Sequence, residues 1–507
     1  MKLPNHSLLI FITGAVILGL ELTASRYMSP MFGSSLYIWG AILSITLLCL
    51  SAGYSWGGRL GENLDKPVQR LLLFVLITAA WIGLLPFFQR PVALLGLHIG
   101  PTFGPLLVMI LLFALPVLLL ATATPLVFAD NNRARNGKGA ATVMGNLFAL
   151  STIGSVFGAL TTAYALIPML GLRTTLFALA IVLLVAAAPY VLKGMHIRTA
   201  SNLVILVALA QLVYQPDRSS GVNSDFQIIH QTSSGYGEIA VLQHRKNGSR
   251  ILLLDGTSQN WLSGENFEVS NFEHTAVIDS QIQQYPTTNK KALVLGLGAG
   301  FFTRHLTRLG WSVDSVEIDP VVHRVAKKYF GLAPSIPVYI QDGRTFVEAA
   351  RQRGQTYGLI IFDIFSGGGQ PAHLFTVDAL ESMAAILSED GVIITNRLLT
   401  LASERNDLAL YSLATQKAVF PHVRGFDVYP DEPETQLTNF VVFSSKVAPT
   451  SLSYRSRIGE KLYLANTQGI EVISDNWNPS EIWAIDVSRQ WHSTIQEWLG
   501  EGAVIPM

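Results

Sequence analysis

The sequence predicts a polytopic α-helical membrane domain, then a small antiparallel β-subdomain, then a doubly wound α/β domain. Three observations carry this reading. Residues 1–215 hold long apolar runs of a kind absent from 216–507. Between 226 and 262 apolar and polar residues alternate, as in strands with one buried face. From 291 the rhythm becomes buried strand, helix, buried strand, and the first strand runs into glycines at alternate positions, Gly296, Gly298 and Gly300. The domains so drawn are 1–215, 222–288 and 289–445, with a C-terminal extension at 446–507.

Composition agrees with a chain that is half membrane. Half of its 507 residues are hydrophobic and 14% are charged, against about 25% in an ordinary soluble protein. The formal net charge is zero, which argues against a nucleic-acid partner. Cys49 is the one cysteine, so a disulfide or a cysteine-based zinc site within one chain is excluded. No HExxH or EF-hand pattern occurs either, and no metal site is expected.

A spanning helix needs roughly 20 apolar residues. Six segments meet this, at 8–28, 37–57, 70–89, 105–128, 142–168 and 173–192. The first lacks a small-residue cleavage site and is followed by further spans, so it reads as a span and not as a signal peptide. Lys2, Arg59, Lys66, Arg70, Arg133, Arg135, Lys138, Lys193 and Arg198 fall on one side, and Arg26, Arg90 and Arg173 on the other. The positive-inside rule then puts the N-terminus in the cytoplasm. A shorter apolar stretch, "NLVILVALAQLVY" at 202–214, decides where the rest lies. As an interfacial helix it leaves the soluble half in the cytoplasm, which is the preferred reading. As a seventh span it puts that half outside.

Within the spans, Glu21 is a carboxylate with Arg26 just beyond it. It reads either as a charge pair or as a site for a cationic substrate. Gly154 and Gly158 form a GxxxG pair, which favours close helix packing within or between chains. Pro116, Pro125 and Pro168 are expected to kink their helices.

In the soluble half, "FQIIHQ", "GEIAVLQH" and "SRILLLDG" read as strands, with Asn-Gly in "KNGS" as a hairpin turn. "KALVLGLGAG" is a buried strand running into the glycine loop, and "FFTRHLTRLG" is a helix ending at Gly310. Later strands end at Glu317 ("VDSVEID"), at Asp342 ("VYIQDG", followed by Gly343) and at Asp363 ("YGLIIFD"), and "GVIITNR" is a fifth. In such sheets ligands sit outside the carboxyl ends of the strands, so the three acids converge on one crevice. The glycines let the backbone approach a ligand closely. Glu317, seventeen residues after Gly300, suits the two hydroxyls of a ribose. Asp342 suits an adenine amino group. The loop alone would fit NAD equally well; with the three acids the pattern points to an adenosyl nucleoside and a Rossmann-like fold of the S-adenosylmethionine-methyltransferase type. The plainer alternatives are a capping or surface role for Glu317 and strand-end capping for Asp363.

"LLLDGTSQ", "LVLGLGAG", "VEIDP", "QDGRTF", "LIIFD" and "PAHLFT" follow one another with suitable spacing. On these, residues 226–445 resemble the spermidine synthase family, the polyamine aminopropyltransferases. The N-terminal half resembles bacterial proteins that fuse a multi-span segment to such a domain. That implies an integral protein of the bacterial inner membrane, with the lipid bilayer as a partner. The resemblance implies no tightly bound cofactor. S-adenosylmethionine or its decarboxylated form would be the co-substrate, and a polyamine amine the acceptor. Glu317 would hold the ribose, Asp342 the adenine, and Gln259 would lie near the nucleoside. Asp363 would orient the acceptor amine and take its proton. "SGGGQP" at 366–371 matches the loop that closes over the acceptor. Glu273, His274 and His373 are weaker candidates for substrate contact. A homodimer stays open.

The chain departs from the family at three places. Ala299 stands where the family has an aspartate that pairs with the donor's propylamine. The acceptor loop has Ser and Gly where a second aspartate is usual. The Tyr-His/Gln-Glu signature appears as Phe272-Glu273-His274. Intact S-adenosylmethionine carries a carboxylate that an aspartate at 299 would repel, by about 4 kcal/mol for charges about 4 Å apart at an effective dielectric of 20. Three readings follow. One is aminopropyl transfer. The second is an enzyme of intact S-adenosylmethionine, a methyltransferase or a lyase or cyclase. The third is a transporter or sensor of polyamines or adenosyl compounds.

Overall fold

The structure is a computed structural model. It describes residues 6–32, 36–100, 102–134, 136–191, 222–285, 287–365, 369–401, 408–433, 436–450, 461–463 and 465–500. The chain divides into two compact units, one lying mainly in 1–220 and the other mainly in 221–504. The stretch 202–214 lies outside the described residues.

The first unit is helical: α1 (Ser7–Phe32), α2 (Leu36–Asn63), α3 (Pro67–Ile99), α4 (Gly104–Val108), α5 (Leu115–Ala121), α6 (Ala123–Ala134), α7 (Ala140–Thr161) and α8 (Ile167–Val191). Among the described residues, five continuous helical runs are long and apolar enough to cross a membrane, namely Ser7–Phe32, Tyr37–Asn63, Pro67–Ile99, Gly104–Ala134 and Ala140–Tyr190. The fifth is 51 residues long, which at 1.5 Å per residue is about 76 Å against a hydrocarbon core of about 30 Å. Gly171 within it has φ 76° and ψ 170°, so the backbone leaves the helix there. The pieces on either side of Gly171 cover the two runs expected at 142–168 and 173–192. Leu47, Leu48, Phe157, Ile181 and Val185 are exposed on these helices, as lipid-facing residues would be.

The expected proline distortions are present in a specific form. Pro116 and Pro168 are each the second residue of a helix that follows a π-helical turn, Met109–Ala114 and Thr162–Leu166. The wider turn accommodates a ring that would strike the carbonyl four residues back. Pro125 falls in the first turn of α6, just after α5 gives way at Thr122. The glycine pair packs within the chain. A Cβ on Gly154 would lie 2.1 Å from the Phe11 carbonyl oxygen, and one on Gly158 2.1 Å from that of Ala15, both on α1.

Among the described residues the second unit holds two sheets. The smaller is a five-stranded meander of β1 (Phe226–Ser233), β2 (Glu238–His244), β3 (Arg250–Leu254), β4 (Thr257–Ser263) and β5 (Val269–Ser270). Asp255 and Gly256, both at positive φ, make the two-residue turn that joins β3 to β4.

The larger sheet contains β6 (Lys291–Leu295), β7 (Ser312–Glu317), β8 (Val338–Ile340), β9 (Tyr357–Phe362), β10 (Leu387–Leu399), β11 (His422–Asp427), β12 (Thr438–Ser445) and β13 (Lys461–Tyr463). Its order is β13-β11-β12-β10-β9-β6-β7-β8. The five strands from β8 to β10 are parallel, and β12 runs antiparallel between β10 and β11. This is the doubly wound, methyltransferase-type arrangement. Both faces are covered, as parallel sheets require. On β6, Ala292 and Val294 join one buried cluster while Leu293 and Leu295 join another.

The C-terminal segment, whose role the sequence leaves open, completes the smaller sheet. From the helix Ser480–Leu499, Ile495 and Leu499 pack with Phe226, Leu242, Ile251 and Leu253. The Trp498 ring packs tilted against that of Trp261, their centroids 4.9 Å apart.

Candidate active site

The glycine loop leaves β6 at Gly296 and enters the helix Phe301–Arg308 after Gly300. Gly296, Gly298 and Gly300 have φ of 92°, 52° and 77°, a region that favours glycine. Space is short at two of them. A Cβ on Gly296 would lie 2.3 Å from the Asp363 carbonyl oxygen, and one on Gly298 would lie 2.4 Å from Asn260 Oδ1.

All five loop amides are engaged inside the protein. Gly296 N donates to the Val316 carbonyl and Gly300 N to that of Leu297. Leu297 N donates to Glu317 Oε2 at 3.2 Å, and Gly298 N also bonds the Glu317 carboxylate. Ala299 N donates to Asn260 Oδ1 at 2.7 Å. The loop itself therefore has no amide left for a phosphate, whereas a pyrophosphate cradle needs free ones. That favours a nucleoside ligand without phosphates. The Ala299 side chain is fully buried in the core cluster that includes Val277 and Phe302.

Glu317 closes β7. Its Oε1 accepts from Asp319 N at 2.9 Å, so the carboxylate bridges the loop and the start of the next helix. Burial pushes this carboxyl up to about 7, against the opposing pull of the amides of Asp319, Leu297 and Gly298. Asp342 is the N-cap of the helix Gly343–Gln352, its Oδ1 accepting from Thr345 N at 2.9 Å. Its Oδ2 lies 3.9 Å from His373 Nε2. Gly343, the first residue of that helix, is buried.

Asp363 follows β9. Its Oδ1 accepts from Asn396 Nδ2 at 2.9 Å, and Asn396 Oδ1 in turn accepts from Asn439 Nδ2 at 3.1 Å. One carboxylate oxygen is thus held from β10 through an amide relay that starts on β12. The other has no hydrogen-bond donor among the described residues. His274, buried in the first turn of the helix Glu273–Ile282, feels the charge of Asp363. Desolvation holds its imidazole below the usual range, only partly offset by that carboxylate. Its Nδ1 is buried without a hydrogen-bond partner among the described residues.

The other candidates are placed as follows. Gln259 is half-buried and turns back on its own strand, its Nε2 donating to Thr257 Oγ1 at 3.0 Å. Glu273 is exposed and lies by Tyr429, whose hydroxyl is pushed up to about 12 by burial and by that charge. His373 is exposed, and its carbonyl accepts from Arg344 Nη1. Glu21 belongs to the helical unit, half-buried beside Thr46. Of the loop at 366–371, residues 366–368 lie outside the described residues.

Sequence reasoning passed over Asn260 and Asn396. Asn260 is the residue after Gln259 and faces the opposite side of β4. Asn396 is a polar residue at the end of the otherwise apolar run "GVIIT", which is the signal that could have found it.

Residues 271–452 match the spermine/spermidine synthase domain. The C-terminal half carries a spermine/spermidine synthase domain. The match takes in the glycine loop and Glu317, Asp342 and Asp363, while "LLLDGTSQ" at 252–259 lies before it. The chain is 31% identical over 260 residues to an N-terminal histidine N-methyltransferase of Emericella nidulans, a match covering 46% of this chain and 45% of that relative. The chain thus spans less than half of that relative's length. It is 29% identical over 211 residues to a polyamine aminopropyltransferase of Vibrio vulnificus, covering 40% of this chain and 68% of the relative. The solved spermidine synthase of Thermotoga maritima aligns at 20% identity with a TM-score of 0.36, over 47% of this chain and 81% of its own.

Proposed function

We propose that the synthase domain is a transferase that binds intact S-adenosylmethionine and moves its methyl group to the nitrogen of an amine. Glu317 takes the ribose hydroxyls and Asp342, through the oxygen its cap leaves over, the adenine amino group. The observation that carries the choice of donor is Ala299. A buried methyl group stands where a carboxylate would be needed to pair with the amine of a decarboxylated donor, and an intact donor has no use for that carboxylate. The resemblance to a relative named as an N-methyltransferase supports the same choice.

In the reaction the neutral amine attacks the methyl carbon. The carbon–sulfur bond breaks, its electron pair goes to sulfur, and S-adenosylhomocysteine leaves. A free amine titrates near 10, about where Lys does, and arrives mostly as ammonium. Asp363 orients it and takes its proton, directly or through water. The sulfonium is already a good leaving group, so catalysis is mainly positioning. The relay from Asn439 through Asn396 fixes Asp363 for that purpose.

Aminopropyl transfer to a polyamine is the second reading, favoured by the domain match over 271–452. In both, the helical unit anchors the enzyme in a bilayer, with six crossings if Ala140–Tyr190 divides at Gly171.

The test incubates the detergent-solubilised full chain with S-adenosylmethionine or its decarboxylated form. Putrescine, spermidine or a peptide beginning with histidine serves as acceptor, and products are identified by mass spectrometry. S-adenosylhomocysteine from the intact donor, lost in Asp363→Asn, is expected. Methylthioadenosine formed only from the decarboxylated donor with a polyamine would establish the second reading instead. No consumption of either donor would sink both.

A further inference from the structure

Arg397 is 3% exposed and lies on β10 directly after Asn396. Its guanidinium sits 4.2 Å from the centroid of the Phe375 ring. Its Nε donates weakly to Gln370 Oε1 at 3.4 Å. No carboxylate pairs with it among the described residues, and burial alone pulls its pKa down to about 9. A buried cation without a counter-ion is costly, and such groups usually have a partner. Here Arg397 is one of the residues lining a small cavity, with Phe365, Gly369, Gln370, Leu398, Ser480 and Trp491.

Hydrogen bonds link one lining residue, Gln370, to the candidate active site. Gln370 Nε2 donates to the Asn396 carbonyl at 2.7 Å, while its Oε1 receives Arg397. Asn396 in turn holds Asp363. Arg397, Gln370, Asn396 and Asp363 therefore form one hydrogen-bonded chain. Gly369 and Gln370 belong to the loop that sequence comparison assigns to the acceptor, not the donor.

We propose that Arg397 is a carboxylate-binding subsite for the acceptor, so that the amine presented to Asp363 belongs to a molecule that also carries a carboxylate. This rests on the reading of Asp363 as the amine site. A polyamine would bring a second ammonium toward a buried guanidinium, and the like charges would repel. An amino carboxylate brings the missing counter-ion and makes charge-assisted bonds to a planar fork of donors.

The test uses the full chain in detergent. The probes are unbranched ω-amino carboxylates from glycine to 6-aminohexanoate, each compared with the diamine of equal length. Thermal unfolding is recorded for the wild type, Arg397→Met and Arg397→Lys. At least one amino carboxylate is expected to raise the wild-type midpoint saturably, and more than its diamine does. Arg397→Met should lose that response and, freed of an uncompensated cation, unfold at a higher temperature without ligand. Arg397→Lys keeps the charge and should retain a reduced response. Where turnover is measurable, KM for the amino carboxylate should rise about 10- to 100-fold in Arg397→Met. Affinity for S-adenosylhomocysteine should be the same in all three proteins.

The proposal falls if no amino carboxylate shifts the wild type, or if amino carboxylates and diamines act alike. It also falls if Arg397→Met weakens S-adenosylhomocysteine binding, which would put the cation on the donor. Absence of S-adenosylhomocysteine binding in the wild type would strike the donor reading alone. The Arg397 subsite would then stand or fall on the carboxylate response.

Discussion

Asn260→Ala removes the side chain that holds the Ala299 amide in the glycine loop. Asn260 is 8% exposed, and its Oδ1 accepts the amide of the fully buried Ala299 at 2.7 Å. Deleting the acceptor strands a buried donor, which costs about 1–3 kcal/mol. The free loop can relax to relieve that amide, but donor binding must restore the original path. At about 1.4 kcal/mol per decade, affinity for S-adenosylhomocysteine should fall about 5- to 150-fold. Gly298→Ala attacks the same contact from the other side, since its Cβ would lie 2.4 Å from Asn260 Oδ1. With Asn260 present, that variant both loses the Asn260 bond and holds alanine at φ 52°. With Asn260 already removed, it should cost only the left-handed backbone term, about 1–2 kcal/mol. The two substitutions are therefore expected to be strongly non-additive. The assay is titration calorimetry on the solubilised chain, with circular dichroism to show that each variant is folded. A change within twofold for Asn260→Ala, or additive effects in the double variant, would refute the assignment of Asn260 as the loop's support.

Glu317→Gln should flatten the dependence of stability on pH. The wild-type carboxyl titrates near 7 in the fold and near 4.3 when unfolded. Its stabilising share is full below about 4.3 and is lost as pH rises through 7, with a ceiling of about 4 kcal/mol. Denaturant unfolding between pH 5 and 8 should therefore slope downward in the wild type and less so in the variant; equal slopes would contradict the assignment. Asn396→Ala frees one oxygen of Asp363 and is expected to lower kcat about 10-fold or more while leaving S-adenosylhomocysteine affinity unchanged, and an unchanged kcat would rule out the positioning role. In the helical unit, Gly158→Val drives a side chain into the Ala15 carbonyl, whereas Gly145→Val on the same helix meets nothing within 4 Å. The first should destabilise the solubilised chain by about 1–3 kcal/mol or more and the second far less, so similar melting temperatures would count against the α1–α7 contact.

Much of the architecture was legible in the chain itself, because it follows from local pattern. Apolar runs of spanning length, period-two alternation and glycines after a buried strand are written residue by residue. Glu317, Asp342 and Asp363 could be found because strand ends in a doubly wound sheet converge by topology. The Asn-Gly turn and the prolines were visible for the same local reason.

Other features depend on which segments meet, and no local pattern encodes that. The two glycines of α7 gave a close-packing signal without a partner, and the fold supplied α1. Proline predicted a distortion, and packing chose a π-helical turn. Gln259 drew attention through its motif, yet the strand's alternation turns it back on Thr257 and presents Asn260 to the loop. Arg397 is an ordinary cation in the sequence. It becomes a candidate ligand-binding group only because β10 is central, Phe375 covers it, and no described carboxylate reaches it. The sequence by itself determined the elements and the acids at their ends, since these obey short-range periodicity. The tertiary structure decided which polar groups are buried together and which lack a partner, since desolvation depends on neighbours distant in the chain.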